Sequence, residues 1–174
     1  MNMAIIDPKN QEDSQKKWSE TEIAGALARE YFDLRKNFVC VQNVSFGFLN
    51  WEADLLVCSK NGFLTEVEIK VSAADWKKDH TKDKWRMIKK SEADNKPTRM
   101  KYFYYCAPKP LAERYKEFEI PEWAGVIEID YNSSHGRYSF QVLKQAVERI
   151  NNRKMTTEEM LKLARLGSMR AWSR

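Results

Sequence analysis

An α/β domain with a mixed central sheet between helices is the fold class this sequence predicts. Three observations carry the prediction. Apolar side chains recur at helical spacing early in the chain, at Ile23, Ala24, Leu27, Tyr31 and Leu34. Segments rich in β-branched and aromatic residues follow at 38–46, 53–58 and 63–71. A basic helical stretch then separates these from further strand segments, so helices and strands are interleaved. No internal repeat or low-complexity linker divides the chain, and 174 residues suit one domain. We expect a flexible tail over 1–17 and a single domain over 18–174.

The first helix starts near Ser19, where Ser19 and Glu22 have the spacing of a capping box. Its face is set by Ala24, Leu27 and Tyr31, and Glu20 projects with them toward the sheet. Asn43 and Ser45 alternate with Val44 and Phe46 in the first strand. Lys60, Asn61 and Gly62 form a turn signal between the second and third strands. Residues 72–90 read as one helix, 102–107 as a compact aromatic strand stopped by Pro108, and 124–129 as another strand. Gly136 turns a hairpin into 138–142. Two helices close the chain, near 144–151 and 157–171, the second capped by Thr156 with Glu158 and Glu159 in its first turn.

Composition excludes several classes. The six tryptophans, seven tyrosines and eight phenylalanines exclude a wholly disordered chain. No apolar run approaches the roughly 20 residues that span a bilayer, and the first fifteen residues are too polar for a signal peptide. A cytoplasmic protein is expected, with no membrane partner. Cys40, Cys58 and Cys106 are far apart and lack metal or disulfide spacing, and His80 and His135 do not complete a zinc site with them. The net charge of +5 is uneven along the chain. Residues 76–101 carry ten basic and four acidic residues, and 144–174 carry eight and three. A negatively charged partner fits this separation, with nucleic acid the first candidate. A pair of solvated lysine-rich helices is the plainer explanation of the charge alone.

The segment with most chemical content runs from Glu52 to Lys70. Alternate strand residues share a face. Glu66, Glu68 and Lys70 therefore oppose Val67, Ile69 and Val71, and Asp54 shares a face with Glu52, Leu56 and Cys58. A three-residue Lys60-Asn61-Gly62 loop, with Gly62 at the left-handed position, pairs Leu56 with Glu66 and Asp54 with Glu68. A two-residue loop would separate the two acids. The three-residue loop brings the apolar faces together and puts the two carboxylates about 5 Å apart at Cβ. Facing carboxylates repel one another, and one lysine does not balance them. A divalent ion such as Mg²⁺, or Mn²⁺ in its place, does. Lys70 is then placed to orient a water or offset charge on a phosphate, as metal-assisted phosphodiester hydrolysis requires. A solvated edge hairpin is the competing explanation. Apolar residues on both faces favour a covered sheet instead. Glu20 is a further candidate ligand from the first helix, with Glu22 the alternative.

These residues resemble the PD-(D/E)xK nuclease superfamily. The match is a helix with Glu20, Asp54 on one strand, Glu68-Ile69-Lys70 on the next, and a following helix. Ala53 stands where the superfamily's name has proline. The stretch from Asn43 through Ser72 is similar to small bacterial and phage nuclease-like proteins, including those grouped as MmcB-type DNA repair proteins, and the specific resemblance runs from about Glu20 to Asp75. The resemblance implies a restriction-endonuclease-like αβββαβ core, Mg²⁺ dependence and cleavage of DNA, duplex or branched. By position it makes Asp54, Glu68 and the Ile69 carbonyl metal ligands and Lys70 the catalytic lysine, with Glu20 supporting the site. It also includes members that bind nucleic acid without cutting it, and it leaves a homodimer open.

Lys77, Lys78, Lys82, Lys84 and Arg86 would start beside such a site and contact phosphates, which supply affinity and position rather than sequence choice. Trp76 and Trp85 suit either stacking on bases or packing on the sheet. Lys96 and Lys101 flank a loop around Pro97 that would lie over the site. Ser168, Arg170, Trp172 and Arg174 end the chain with more positive charge.

Overall fold

The computed structural model describes residues 16–44 and 48–172. Most of the tail expected over 1–17 lies outside the described residues, as do Ser45 and Phe46 of the expected first strand. Six strands form one sheet in sequential order: β1 Asn37–Val44, β2 Ala53–Ser59, β3 Leu64–Ile69, β4 Met100–Pro108, β5 Gly125–Asn132 and β6 Arg137–Lys144. Strands β1, β2 and β3 are an antiparallel meander, β3, β4 and β5 run parallel, and β6 returns antiparallel to β5. The mixed sheet between helices is the architecture expected from the sequence.

Helix α1, Glu20–Ala26, is followed by a π-helical stretch, Leu27–Tyr31. Ser19 caps it by accepting the Glu22 N–H at 3.3 Å. The Glu22 carboxylate feels the Ser19 backbone in return, as expected of a capping box, and also meets Lys16 at 2.6 Å and the Tyr138 hydroxyl at 2.7 Å. One face of the sheet is apolar throughout: Ile23, Ala26 and Leu27 pack on Leu55, Val57, Val67, Ile69, Cys106, Ile127 and Ile129.

The opposite face carries the helical crossover from β3 to β4. The single helix expected over 72–90 is two helices, α2 Ala73–Asp79 and α3 Asp83–Ala93. The break follows from Asp79. Its carbonyl accepts the Trp85 indole N–H at 2.7 Å and the Lys82 N–H at 3.0 Å, while its side chain is turned inward. Trp76 stacks on Phe118 at 4.6 Å, and Trp85 meets Phe103 edge-on at 5.3 Å, so both tryptophans are packing residues. The short α4, Lys109–Ala112, and a 3₁₀ turn at Tyr115–Glu117 lead to β5.

The helix expected near 144–151 is absent. Residues 145–153 form an irregular strap after β6. The strap is bonded by Val147 to Trp123, by Arg149 to Lys101 and by Arg153 to Thr98, which takes its backbone out of helical pairing. The same bonds tie down the loop around Pro97, so it is held against the strap. Helix α5, Thr157–Trp172, is capped by Thr156, whose hydroxyl and N–H form a reciprocal pair with Glu159 at 3.2 and 2.9 Å. Met155, Met160, Leu163 and Leu166 pack it on the β1–β2 side of the sheet. Among the described residues no helix is long and apolar enough to cross a membrane.

Gly125 opens β5 under the Tyr104 ring. A Cβ there would lie 2.3 Å from the ring and 2.7 Å from the Ala146 nitrogen. Gln145 also holds the Tyr104 hydroxyl at 2.7 Å, so the ring has little room to turn. We expect Gly125→Ala to destabilise the fold by about 1–3 kcal/mol. A urea midpoint equal to that of the parent would show that the ring and strap move aside freely.

Candidate functional site

The register of β2 and β3 places the acidic residues. Leu56 faces Glu66, Leu55 faces Val67, and Ser59 bonds Phe63 across a loop in which Gly62 has φ +82°. This is the three-residue loop expected from the sequence. The ladder ends at Leu55 and Val67, and beyond it Asp54 Oδ2 accepts the Ile69 N–H at 2.7 Å. Asp54 thus sits where the strands part, beside Glu68.

Glu66, Glu68 and Lys70 are buried on the face under α2 and α3. Glu68 is the centre of the cluster. Its Oε1 accepts Lys70 Nζ at 2.9 Å and also Lys82 Nζ, and its Oε2 accepts Lys84 Nζ. Burial alone would raise this carboxyl. Lys84, Lys70 and Lys82 outweigh that and hold it well below the usual carboxylate range. The same pairing raises Lys82 and Lys84 against the effect of their own burial.

Lys70 has a second anchor. Asp79, fully buried at the end of α2, accepts Lys70 Nζ at 2.8 Å on Oδ1, which also lies 3.3 Å from Lys82 Nζ. Its Oδ2 takes the Tyr105 hydroxyl at 2.6 Å and the Trp85 indole at 3.1 Å. Glu66 accepts the Trp51 indole at 3.0 Å and lies 3.7 Å from Lys84 Nζ. Asp54, Glu66, Glu68 and Asp79 thus gather around three ammonium groups, and Asp75 adds a further carboxylate 3.9 Å from Lys70 Nζ. Two of the carboxyls are raised. Burial, then the charge on Glu68, push Asp54 up to about 7, against the pull of the Ile69 N–H. Burial pushes Glu66 up to about 7 as well, with Lys84 pulling it down and Glu68 adding to the rise.

The structure brings together Asp54, Glu68 and Lys70. It treats the other expected site residues differently. Glu20 is exposed at the start of α1, on the helix that covers the opposite face, so it does not point into the sheet as the helical wheel suggested. Its charge still adds to the rise of Asp54. Glu22 is engaged by Lys16 and Tyr138. Lys77, Lys78 and Arg86 are exposed, and Arg86 pairs with Asp83 at 3.2 Å. Lys84, expected on the surface to meet phosphate, is instead buried against Glu68, and Lys82 leans into the same carboxylate. Asp79, Trp51 and Tyr105 are not marked by the sequence, and Glu66, expected on the same face as Glu68, joins the cluster as a fourth carboxylate beside Asp54, Glu68 and Asp79. Asp79 lies nine residues past Lys70 in a segment read as one basic helix, and the break follows it.

Among the described residues no group of three or more His, Cys, Asp or Glu is set to hold a metal ion. The cluster nevertheless contains a stand-in cation. The Lys82 ammonium lies against Glu68 and Asp79 and feels the charge of Asp54, and carboxylate oxygens are also the ligands that divalent ions take.

No protein-family model matches the chain, and no curated protein matches it. Its fold is similar to a solved structure of the SPO1766 protein of unknown function from Silicibacter pomeroyi. The match has a TM-score of 0.56 at 15% identity and covers 91% of this chain and 90% of that one. At that identity the likeness is one of fold.

Glu66 allows the electrostatics to be tested. A carboxyl raised in the folded state adds stability below its unfolded value, near 4.5, and loses it as pH rises through about 7. Glu66→Gln keeps an acceptor for Trp51 and removes the charge. The variant should gain on the parent between pH 5 and pH 8, by up to roughly 3 kcal/mol. Urea denaturation at several pH values reads the difference, and a flat difference would show that Glu66 titrates normally.

Proposed function

We propose that this chain is a Mg²⁺-dependent endonuclease acting on DNA, of the repair, recombination or phage-related type, built on a restriction-endonuclease-like core of the PD-(D/E)xK kind. One observation carries the reading: Asp54 sits beside Glu68 where β2 and β3 part, with Lys70 held in the same buried cluster. The element order supports it, since α1, three antiparallel strands, a helical crossover and a parallel strand make up the αβββαβ pattern.

In this reading Asp54, Glu68 and the Ile69 carbonyl would hold Mg²⁺ or Mn²⁺, and Glu20 would support Asp54 from the start of α1. A bound divalent ion would polarise the phosphodiester and lower the pKa of its water. Lys70 would donate hydrogen bonds to the phosphate oxygens as negative charge builds. Charged and fully donor, it positions and stabilises rather than removing a proton. Asp79, fixed by Tyr105 and Trp85, keeps the Lys70 ammonium in place. The exposed Lys77, Lys78 and Arg86 meet the DNA backbone.

A second reading has its own support. Glu68 is already neutralised by three ammonium groups without an added ion, as suits a nucleic-acid-binding module of the same fold that does not cut. Duplex, single-stranded, flapped and branched DNA, with RNA alongside, separate the two readings when incubated with Mg²⁺ or Mn²⁺. Salt-dependent binding without cleavage on every substrate favours the module.

If the nuclease reading holds, Asp54→Asn lowers metal-dependent cleavage by at least about 100-fold, more than losing an outer partner of a metal costs. Its circular dichroism stays that of the parent. Parent-like cleavage would sink the assignment. The pair Lys77→Ala and Lys78→Ala should leave the fold intact and reduce the slope of log affinity against log salt by about 1.8 on duplex DNA, for two phosphate contacts. An unchanged slope places the DNA elsewhere.

A further inference from the structure

The three ammonium groups on Glu68 are not equivalent. The Lys70 and Lys84 side chains are 1% and 2% exposed. Lys70 is shared with Asp79, and Lys84 is enclosed by Glu66 and the rings of Trp85 and Phe103, at 4.6 and 5.0 Å. The Lys82 side chain is 42% exposed. It stands in the short joint between α2 and α3, outside both helices. Both oxygens that it meets, Glu68 Oε1 and Asp79 Oδ1, also accept Lys70. Removing its ammonium therefore leaves no carboxylate oxygen of the pair without a lysine.

The charge count points the same way. Asp54, Glu66, Glu68 and Asp79, with Asp75 3.9 Å from Lys70 Nζ, outnumber the three ammonium groups. Exchanging one monovalent ammonium for a divalent ion reduces the excess of negative charge, and a buried set of charges is costly unless it is balanced. Asp54 is where the imbalance shows. Among the described residues it forms no ion pair and accepts only the Ile69 N–H. Lys82 is the cation that senses it.

We infer that Lys82 is a built-in counter-cation that competes with the divalent ion for Glu68 and gives way when the ion enters. Lys70 and Lys84 stay in place through the exchange. The inference rests on the metal-dependent reading of this site.

Titration calorimetry with MnCl₂, in the absence of DNA, tests it. The proteins are the parent, Lys82→Ala, Lys82→Met and, as a surface control, Lys116→Ala, at an exposed lysine. Lys82→Met keeps the aliphatic stem in case the alanine variant folds poorly, and thermal melts check each protein. If Lys82 occupies the position in about nine molecules of ten, its removal tightens Mn²⁺ binding about tenfold. Both Lys82 variants should show that gain, and Lys116→Ala should match the parent. Equal or weaker Mn²⁺ binding by the Lys82 variants overturns the inference and leaves the metal-dependent reading standing. Absence of Mn²⁺ binding by every protein overturns both.

Discussion

The Glu68 carboxylate is the constraint around which one face of this protein is organised. A buried unpaired carboxylate costs several kcal/mol, and leaving a buried pair half-broken costs about 3–5 kcal/mol. Lys70, two residues on in the chain, supplies one cation and no more. The others must come from elsewhere, and the crossover from β3 to β4 delivers them. Helix α2 ends at Asp79, and the joint after it and the start of α3 bring Lys82 and Lys84 over the carboxylate.

That arrangement creates a second demand. Three lysines brought together need more than one anion, and Asp79 is placed to meet it. It binds Lys70 and Lys82 on one oxygen and Tyr105 and Trp85 on the other. The aromatic layer of Trp76, Trp85, Phe103, Tyr105 and Phe118 is continuous with this network. Packing and electrostatics thus act on the same residues. Trp85 fills the core and fixes Asp79, and Tyr105 lies beside Trp76 while donating to the same carboxylate. The opposite face has no such demand, and α1 covers it with aliphatic side chains.

The balance is incomplete at Asp54 and Glu66, which are raised to about 7. Asp54 lies at the point where the strands part, and Glu66 lies inside the ladder opposite Leu56, held by the Trp51 indole. The uneven charge along the chain acquires a second meaning from this. Part of the positive charge after Lys70 is spent inside the protein on Glu68. What remains outside, at Lys77, Lys78 and Arg86, is available to a polyanion.

Asp54, Glu68 and Lys70 can be located in the amino-acid sequence because the information is local. Strand alternation with period two sets which side chains share a face, and Gly62 with its left-handed φ sets the loop length and hence the register. The sequential strands and the caps at Ser19 and Thr156 are readable for the same reason. The break between α2 and α3, the burial of Lys84, the role of Asp79 and the course of the strap are not. Each depends on a partner far along the chain: Lys84 on Glu68, Asp79 on Tyr105, and the strap at 145–153 on Trp123 and Lys101. A lysine in a run of lysines carries no mark of which one is buried. That is settled by desolvation and pairing once the sheet and its crossover have closed around Glu68.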